Sequence, residues 1–336
     1  MKTTKAFVQV FSLLIVVALV CLDAYAQDAK RVIKLDSSLD DIVPSDSQLE
    51  KLVGGGVGSF FEGLVWIRKG EYLLFSDIPG NVINKWTLDG KLTVFLKPSG
   101  YTGPATTDLW GSNGITLDPR GRVVFCASGD QEIVRLESNG KRTVLADHYP
   151  DGYKLNNPND ILYKSDGALY FTDPRSQLRK AAGGAPFDAV NLVKNGKFQV
   201  LDKNVSHPNG ITLSPDEKYL YVGSSDKKTL TRFVVLPDDT LADGEVFIDM
   251  SEDKTPGGPD GMRVDLMGNV YSSGPGGVWI MSPGGKHLGT IETPERVSDV
   301  VFGGADGKTL FIVDGHGPAS DPTSLYRIRL KVAGVR

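Results

Sequence analysis

Six polar residues recur along the chain, each at the entrance to an apolar stretch that is typical of a β-strand. They are spaced 39 to 51 residues apart and comprise Glu62, Asn113, Asn159, Asn209, Asp260 and Asp299. Carboxylates and carboxamides are costly to pack together unless a partner satisfies them. Oxygen ligands without a thiolate or imidazole beside them suit calcium far better than zinc. If the six residues converge, the pattern predicts a site for a divalent cation, preferably Ca²⁺.

Two other interpretations of these residues stay open. The Asn-Gly and Asp-Gly pairs at Asn113, Asn209 and Asp260 are also common turn formers that lead into strands. A cation at this point could equally hold strands together without taking part in chemistry. The charge count favours a cation, because one Glu, one Asp and two Asn carry a formal charge that balances a divalent ion.

The elements that position these residues follow from the repeat itself. Each copy runs from the polar residue through an apolar strand into a Gly-containing turn, such as residues 118–121, and then into a second strand, such as residues 123–127. A period near 50 residues with this strand–turn–strand pattern is typical of propeller blades. We therefore predict an all-β fold, a six-bladed β-propeller with an axial divalent-metal site. A pair of β-sandwiches and a seven-bladed ring are the alternatives.

The first 26 residues have the features of a cleaved signal peptide. Lys2 and Lys5 form a positively charged start, residues 7–22 are apolar, and residues 24–26 read Ala-Tyr-Ala, a small-x-small cleavage site. We therefore expect an exported protein, periplasmic or secreted, with no membrane association after cleavage. An uncleaved anchor and a lipoprotein attached at Cys21 are the alternatives.

The remaining chain divides into two unequal parts. Residues 27–61 form an N-terminal extension that does not resemble a blade, and residues 62–336 form the six-bladed propeller. Residues 31–35 could add an outer strand to the last blade and close the ring. An insertion at residues 174–189 lacks strand alternation, and it is either a flexible linker or a lid over the mouth of the axial channel.

Composition and missing motifs exclude several classes of protein. Hydrophobic residues at 40% and charged residues at 23% of 336 describe a globular chain, and a net charge of -4 argues against a nucleic-acid partner. Cys126 alone remains after cleavage, so we expect no intrachain disulfide and a buried strand position for it. The chain has no Gly-x-Ser-x-Gly, phosphate-loop or His-Glu-x-x-His motif, which removes the usual support for serine hydrolases, nucleotide binding and zinc proteases. The oligomeric state is not indicated.

Six short segments between about Glu62 and Leu330 carry a resemblance to a known family. They are residues 62–66 (EGLVW), 155–160 (LNNPND), 170–174 (YFTDP), 208–217 (PNGITLSPDE), 259–265 (PDGMRVD) and 274–279 (GPGGVW). With these segments the chain resembles the senescence-marker-protein, gluconolactonase and luciferin-regenerating-enzyme family.

This resemblance implies a six-bladed propeller that holds a divalent cation, usually calcium, at its axis. By position it places the metal ligands at Glu62, Asn209 and Asp260, with Asn159 as a further ligand or as a contact to water and substrate. It also implies that Asp260 is the catalytic acid and base, and a direct nucleophilic role for Asp260 is the alternative. The implied activity is hydrolysis of a small-molecule lactone, a sugar lactone or a related cyclic ester.

Three further residues are expected to meet the substrate at the same mouth. Asn113 would be a hydrogen-bond partner, Asp299 would add a carboxylate, and Asp173 would be a substrate contact, a supporting residue or a turn cap. Residues 128–131 read Ser-Gly-Asp-Gln where the family has a basic residue, which changes the substrate side of the site while the metal set stays intact. A non-catalytic exported propeller that binds a sugar or a protein around a structural calcium is the alternative function.

Overall fold

The structure is a computed structural model of the chain, and it describes residues 32–56, 59–104, 110–175, 182–315 and 323–335. Within these ranges it consists of β-strands joined by turns and loops, with one 3₁₀ helix at Ser37–Asp41. The predicted signal peptide lies outside the described residues, as do positions 176–181 of the predicted insertion. No helix in the described ranges has the length and apolar character that a membrane span requires.

In chain order the strands are β1 (Val32–Lys34), β2 (Glu50–Gly54), β3 (Phe61–Ile67), β4 (Tyr72–Asp77), β5 (Val82–Thr87), β6 (Leu92–Leu96), β7 (Ile115–Leu117), β8 (Val123–Ala127), β9 (Glu132–Leu136), β10 (Arg142–Ala146), β11 (Ile161–Tyr163), β12 (Leu169–Asp173), β13 (Ala189–Lys194), β14 (Lys197–Asp202), β15 (Pro208–Leu213), β16 (Tyr219–Ser224), β17 (Thr229–Val234), β18 (Glu245–Asp249), β19 (Met262–Val264), β20 (Val270–Gly274), β21 (Gly277–Met281), β22 (His287–Glu292), β23 (Val297–Gly303), β24 (Thr309–Asp314) and β25 (Ser324–Arg329).

These strands form six antiparallel sheets, the blades of a propeller. Blades 1 to 4 are β3–β6, β7–β10, β11–β14 and β15–β18, blade 5 is β19–β22 with β1 added, and blade 6 is β23–β25 with β2 added. The innermost strands β3, β7, β11, β15, β19 and β23 contact one another in this order, and β23 also contacts β3. The sheets therefore close into a ring, which confirms the six-bladed β-propeller and excludes the β-sandwich and seven-bladed alternatives.

The N-terminal extension supplies the strand that closes the ring, but from a different segment than predicted. Strand β2 pairs with β25, and the Arg327 Nε donates to the Glu50 carboxylate at 2.7 Å. Residues 31–35 were expected in this position, and their strand β1 instead pairs with β22 as a fifth strand of blade 5. The 3₁₀ helix that follows β1 buries Leu39 between blades 5 and 6, and Ile42, directly after the helix, is buried in the same cluster. This segment leads the chain from the edge of blade 5 to the edge of blade 6.

The hydrophobic core is divided among the spaces between neighbouring blades. Each of six buried clusters combines residues from two adjacent sheets, and Trp66 of blade 1 stacks on Phe311 of blade 6 with ring centroids 5.3 Å apart. Cys126 is fully buried between blades 2 and 3, as predicted. Because each cluster joins two blades, the apolar burial that stabilises the fold also fixes the inner strands around the axis.

Candidate functional site

The inner strands approach one another closely where they begin. In four of the six repeats the polar residue at the strand entrance is followed by glycine. A Cβ atom at Gly63 would lie 2.0 Å from the Asn113 carbonyl oxygen, and one at Gly210 would lie 1.9 Å from the Asp260 carbonyl oxygen. Neither distance is possible for real atoms, so only glycine permits this spacing. The Asn-Gly and Asp-Gly pairs therefore bring the repeats together at the axis and are more than turn formers.

The structure corrects the position of Asp299 in this repeat. The Gly114 N–H donates to the Asn159 carbonyl at 2.7 Å, and the Gly261 N–H donates to the Ser298 carbonyl at 2.7 Å. Ser298, rather than Asp299, therefore occupies the first position in blade 6. Asp299 takes the following position, the one that glycine fills in four other blades.

Asp160 is the equivalent of Asp299 in blade 3. Both carboxylates are buried, 5% and 2% exposed, and each accepts a backbone hydrogen bond from the next blade. The Ile211 N–H donates to Asp160 Oδ2 at 3.0 Å, and the Leu64 N–H donates to Asp299 Oδ2 at 2.7 Å. The other oxygen of Asp299 accepts from the Val300 N–H at 2.7 Å. This bonding fits a residue that fixes adjacent blades, rather than the substrate contact predicted for Asp299.

Glu62 is the most deeply placed carboxylate of the predicted metal set. It lies in β3 and is 5% exposed, and its Oε2 accepts from the Gly63 N–H at 3.3 Å. Burial raises the pKa of Glu62 well above its usual value, and the neighbouring charges of Asp260, Asp299 and Asp160 raise it further. Glu62 therefore belongs to a group of four carboxylates whose charges repel one another.

Asp260 lies two residues before β19 and is partly exposed at the mouth of the channel. Its backbone N–H donates to Ser273 Oγ at 2.6 Å, which fixes the residue against β20. Burial and the charge of Asp299 raise the pKa of Asp260 to about 8, while the charge of Arg296 and a hydrogen bond with Asn209 act in the opposite direction. Asp260 thus combines access to solvent with direct electrostatic contact to the buried carboxylates.

The predicted amide ligands lie at equivalent strand entrances. Asn209 is buried, and its Nδ2 donates to Ser225 Oγ at 3.1 Å, which turns its carbonyl oxygen away from Ser225. Asn113 is also buried, and Asn159 is partly exposed. The structure thus brings Asn209 together with Asp260, and it places Asn113 and Asn159 at the same register of the ring.

Asp173 lies apart from this group at the end of β12. It is fully buried, and it accepts hydrogen bonds from the Tyr149 hydroxyl at 2.5 Å and from the Asn156 N–H at 2.8 Å. Burial raises the pKa of Asp173 to about 7. These bonds anchor the loop that leads into the inner strand of blade 3, so the structure supports the positioning role for Asp173 and leaves no exposed surface for a substrate contact.

Two further charged residues, Arg296 and Asp188, lie on loops around the axial site. Arg296 is exposed directly before β23, on the side of Asp260. Asp188 accepts from the backbone N–H groups of Arg175 at 2.7 Å and His207 at 3.0 Å, and so joins the start of the predicted insertion to the loop before β15. Residues 176–181 of the insertion lie outside the described ranges, and its role as a lid or a linker stays a prediction.

The donor chemistry at the axis fits a hard cation. Buried carboxylates that raise one another's pKa are relieved by a divalent ion, and the amide oxygens of asparagine are neutral ligands that calcium accepts. In the described ranges no group of three or more His, Cys, Asp or Glu residues has the arrangement of a metal site. The predicted set contains only two such residues, Glu62 and Asp260, and depends on asparagine for the rest.

Sequence reasoning missed several residues of this site. Asp160, Ser225, Arg263 and Arg296 were not selected, although the parallel between Asn159-Asp160-Ile161 and Ser298-Asp299-Val300 is visible in the sequence. That parallel gives the correct register for blade 6. Nothing in the sequence near Ser225 or Arg296 marks these residues, because their proximity to Asn209 and Asp260 depends on how the blades meet.

The structure is thus a six-bladed propeller in which Glu62, Asp160, Asp260 and Asp299 lie near one another at the axis. The family model described as the SMP-30/gluconolactonase/LRE-like region matches residues 60–316, and the chain belongs to this family. A gluconolactonase from Zymomonas mobilis is 33% identical over 324 residues, which cover 90% of this chain and 87% of that protein. A pentonolactonase from Haloferax volcanii is 29% identical over 270 residues, covering 77% and 84% of the two chains.

Solved structures agree with this assignment. A gluconolactonase from Xanthomonas campestris has a TM-score of 0.76 and 29% identity, covering 90% of this chain and 96% of its own. A luciferin-regenerating enzyme has a TM-score of 0.69 at 20% identity, covering 86% and 98%, and this likeness concerns the fold alone. The family resemblance predicted from the sequence is confirmed.

Proposed function

We propose that this protein is an exported, calcium-dependent lactonase that opens a sugar lactone or a related cyclic ester. The observation that carries the proposal is the meeting of Glu62, Asp260 and Asn209 at the axis of a propeller. The names of the Zymomonas and Haloferax relatives, gluconolactonase and pentonolactonase, support a lactone as the substrate class.

Glu62, Asn209 and Asp260, with Asn159, would hold the calcium ion. The bound cation would polarise the lactone carbonyl and offset the negative charge that develops on its oxygen. The buried carboxylates support this assignment, because a divalent ion removes the repulsion that raises the pKa of Glu62 and Asp260.

Asp260 is the residue that we assign to proton transfer. Its partial exposure lets a water molecule reach a carboxylate oxygen, which accepts the proton as the water attacks the carbonyl carbon. The same carboxyl group then returns a proton to the ring oxygen as the ester bond breaks. Asn113 would hydrogen-bond the substrate at the same mouth, and Asp173 and Asp299 would position the loops and strands behind it.

The test is a pH-indicator assay of the mature protein with aldonolactones, simple γ- and δ-lactones and dihydrocoumarin. We expect turnover with calcium, loss of turnover after chelation, and recovery when calcium is returned. Asp260→Asn should lower kcat/KM by about 10³-fold, because it removes the proton acceptor. The control is Asp249→Asn, which changes an exposed carboxylate at the end of β18.

Two results would contradict the proposal in different ways. Turnover that survives chelation unchanged would remove calcium from the mechanism. Absence of turnover on the whole panel, together with a calcium-induced rise in melting temperature, would favour the non-catalytic propeller that binds a sugar or a protein around a structural calcium.

Export is tested separately from catalysis. We expect N-terminal sequencing of the protein recovered outside the cytoplasm to begin at Gln27, directly after the Ala-Tyr-Ala site. A mature protein that retains Met1 would argue for the uncleaved anchor.

A further inference from the structure

Two of the four axial carboxylates already have structural partners. Asp160 and Asp299 occupy the position that glycine fills in blades 1, 2, 4 and 5, and each bonds to the backbone of the next blade. They lie on opposite sides of the ring, three blades apart. Among the described residues the Glu62 carboxylate accepts only from the Gly63 N–H of its own strand, and Asp260 hydrogen-bonds the side chain of Asn209 rather than the backbone of a neighbouring blade. The four carboxylates therefore fall into two pairs with different bonding.

Arg263 reaches both bridging carboxylates from the inner strand of blade 5. Its Nη1 lies 3.7 Å from Asp160 Oδ2 and 3.9 Å from Asp299 Oδ1. The guanidinium also donates to the Met262 carbonyl at 2.7 Å and to the Leu64 carbonyl at 3.3 Å. One side chain thus connects blade 5 with blades 1, 3 and 6, which holds it across the channel.

The charge of Arg263 acts on these carboxylates. Burial raises the pKa of Asp299 to about 6, and the guanidinium opposes this rise. A buried charge is strongly unfavourable without a partner of opposite sign, so a cation at this point has a clear electrostatic function.

We propose that Arg263 is a positioning residue of the axial site: it balances Asp160 and Asp299, and it leaves Glu62 and Asp260 as the carboxylates that a bound cation neutralises. This inference rests on the proposed function, because it assigns separate counter-ions to the two pairs. Arg263 acts through the carboxylates that fix the blades: its guanidinium lies nearest Asp160 and Asp299, and its charge acts more weakly on Glu62.

The first test compares melting temperatures in chelator and in calcium for the wild type, Arg263→Met and Arg263→Lys. Without the guanidinium, the four carboxylates depend more on the bound cation. We therefore expect Arg263→Met to melt lower in chelator and to show a calcium-induced rise larger than that of the wild type by about 2 °C or more. Arg263→Lys keeps the charge and should restore the wild-type rise.

The control for the first test is Arg135→Met, which breaks an ion pair with Glu137 away from the axis. It should leave the calcium-induced rise unchanged. If Arg263→Met loses the same number of degrees in chelator and in calcium, Arg263 is a packing residue and the inference is wrong.

The second test separates this inference from the metal assignment. In chelator, Asp299→Asn should destabilise the wild type but should recover stability in Arg263→Met, because it removes the charge that has lost its partner. This cycle also applies if Arg263→Met alone does not fold, since the double variant is then expected to fold. If the stability losses of Arg263→Met and Asp299→Asn simply add in the double variant, Arg263 is not the counter-ion of Asp299 and the inference is wrong. Recovery in the cycle, with a wild type that binds no calcium by titration calorimetry, would overturn the calcium assignment and retain Arg263 as the counter-ion.

Discussion

Asn209 shows how a single side chain at the axis is oriented by a neighbour that is not itself a ligand. Its Nδ2 donates to Ser225 Oγ, and Ser225 donates in turn to the Pro259 carbonyl at 2.8 Å, directly before Asp260. The serine hydroxyl therefore ties the amide of blade 4 to the entrance of blade 5. A hydrogen bond of this kind fixes which atom of the amide faces the axis.

Ser225→Ala should weaken calcium binding by about 10-fold, because the amide of Asn209 loses the partner that orients its oxygen. The measurement is the dissociation constant from isothermal titration calorimetry. Ser206→Ala, which removes a hydroxyl bonded to Asp226 on the exposed surface, is the matched control. Equal affinities in Ser225→Ala and the wild type would show that the oxygen of Asn209 is not a ligand.

At the level of the strand entrances, the close approach of neighbouring blades depends on glycine. Gly210 does not have a positive φ, so the constraint at this position is steric and comes from the Asp260 carbonyl of the next blade. Gly54 in β2 offers a contrast, because a Cβ there would lie 3.7 Å from the flexible side chain of Lys51. A methyl group therefore fits at position 54 but not at position 210.

Gly210→Ala should lower the free energy of unfolding by about 3 kcal/mol, because the inner strands of blades 4 and 5 must separate to admit the methyl group. Gly54→Ala should change it by less than about 0.5 kcal/mol. Urea unfolding of the two variants measures both values. A tolerated alanine at position 210 would mean that the strand entrances are farther apart than the structure places them.

Across the whole molecule, buried carboxylates with raised pKa values make the stability of the fold depend on pH. Burial raises the pKa of Asp260 to about 8, of Asp173 to about 7, and of Asp299 and Asp314 to about 6. Above about pH 4 the carboxyl groups of the unfolded chain have lost their protons. In the metal-free native state these four groups still hold theirs, because their pKa values are raised. Stability in chelator should therefore fall as the pH rises from about 4 to about 8.

Calcium should change this pH dependence, because it favours the ionised form of Glu62 and Asp260. We expect the calcium-induced rise in melting temperature to be larger at pH 8 than at pH 5, where protons compete with the ion. Scanning calorimetry at several pH values, with chelator and with calcium, measures the difference. A calcium-induced rise that is the same at both pH values would show that the cation binds away from these carboxylates.

The sequence by itself determined the number of blades, because the turns and polar strand entrances repeat with a period near 50 residues and each repeat is a local pattern. It also singled out six polar strand entrances, and the family resemblance selected Glu62, Asn209 and Asp260 among them as metal ligands, which stays a prediction. The closing strand was harder to predict. Both β1 and β2 are short segments of the extension, and the choice between the edges of blades 5 and 6 depends on where Leu39 and Ile42 are buried.

Only the tertiary structure decided the roles of the residues around this set. Asp299 and Asp160 share a register that becomes visible when the hydrogen bonds between blades are followed, and Asp173 is buried against Tyr149 rather than exposed at the mouth. Arg263 is an ordinary strand residue in the sequence. Its position across the channel follows from the closure of the ring, because that closure brings the blades it bridges to one axis and gives the charges there their partners.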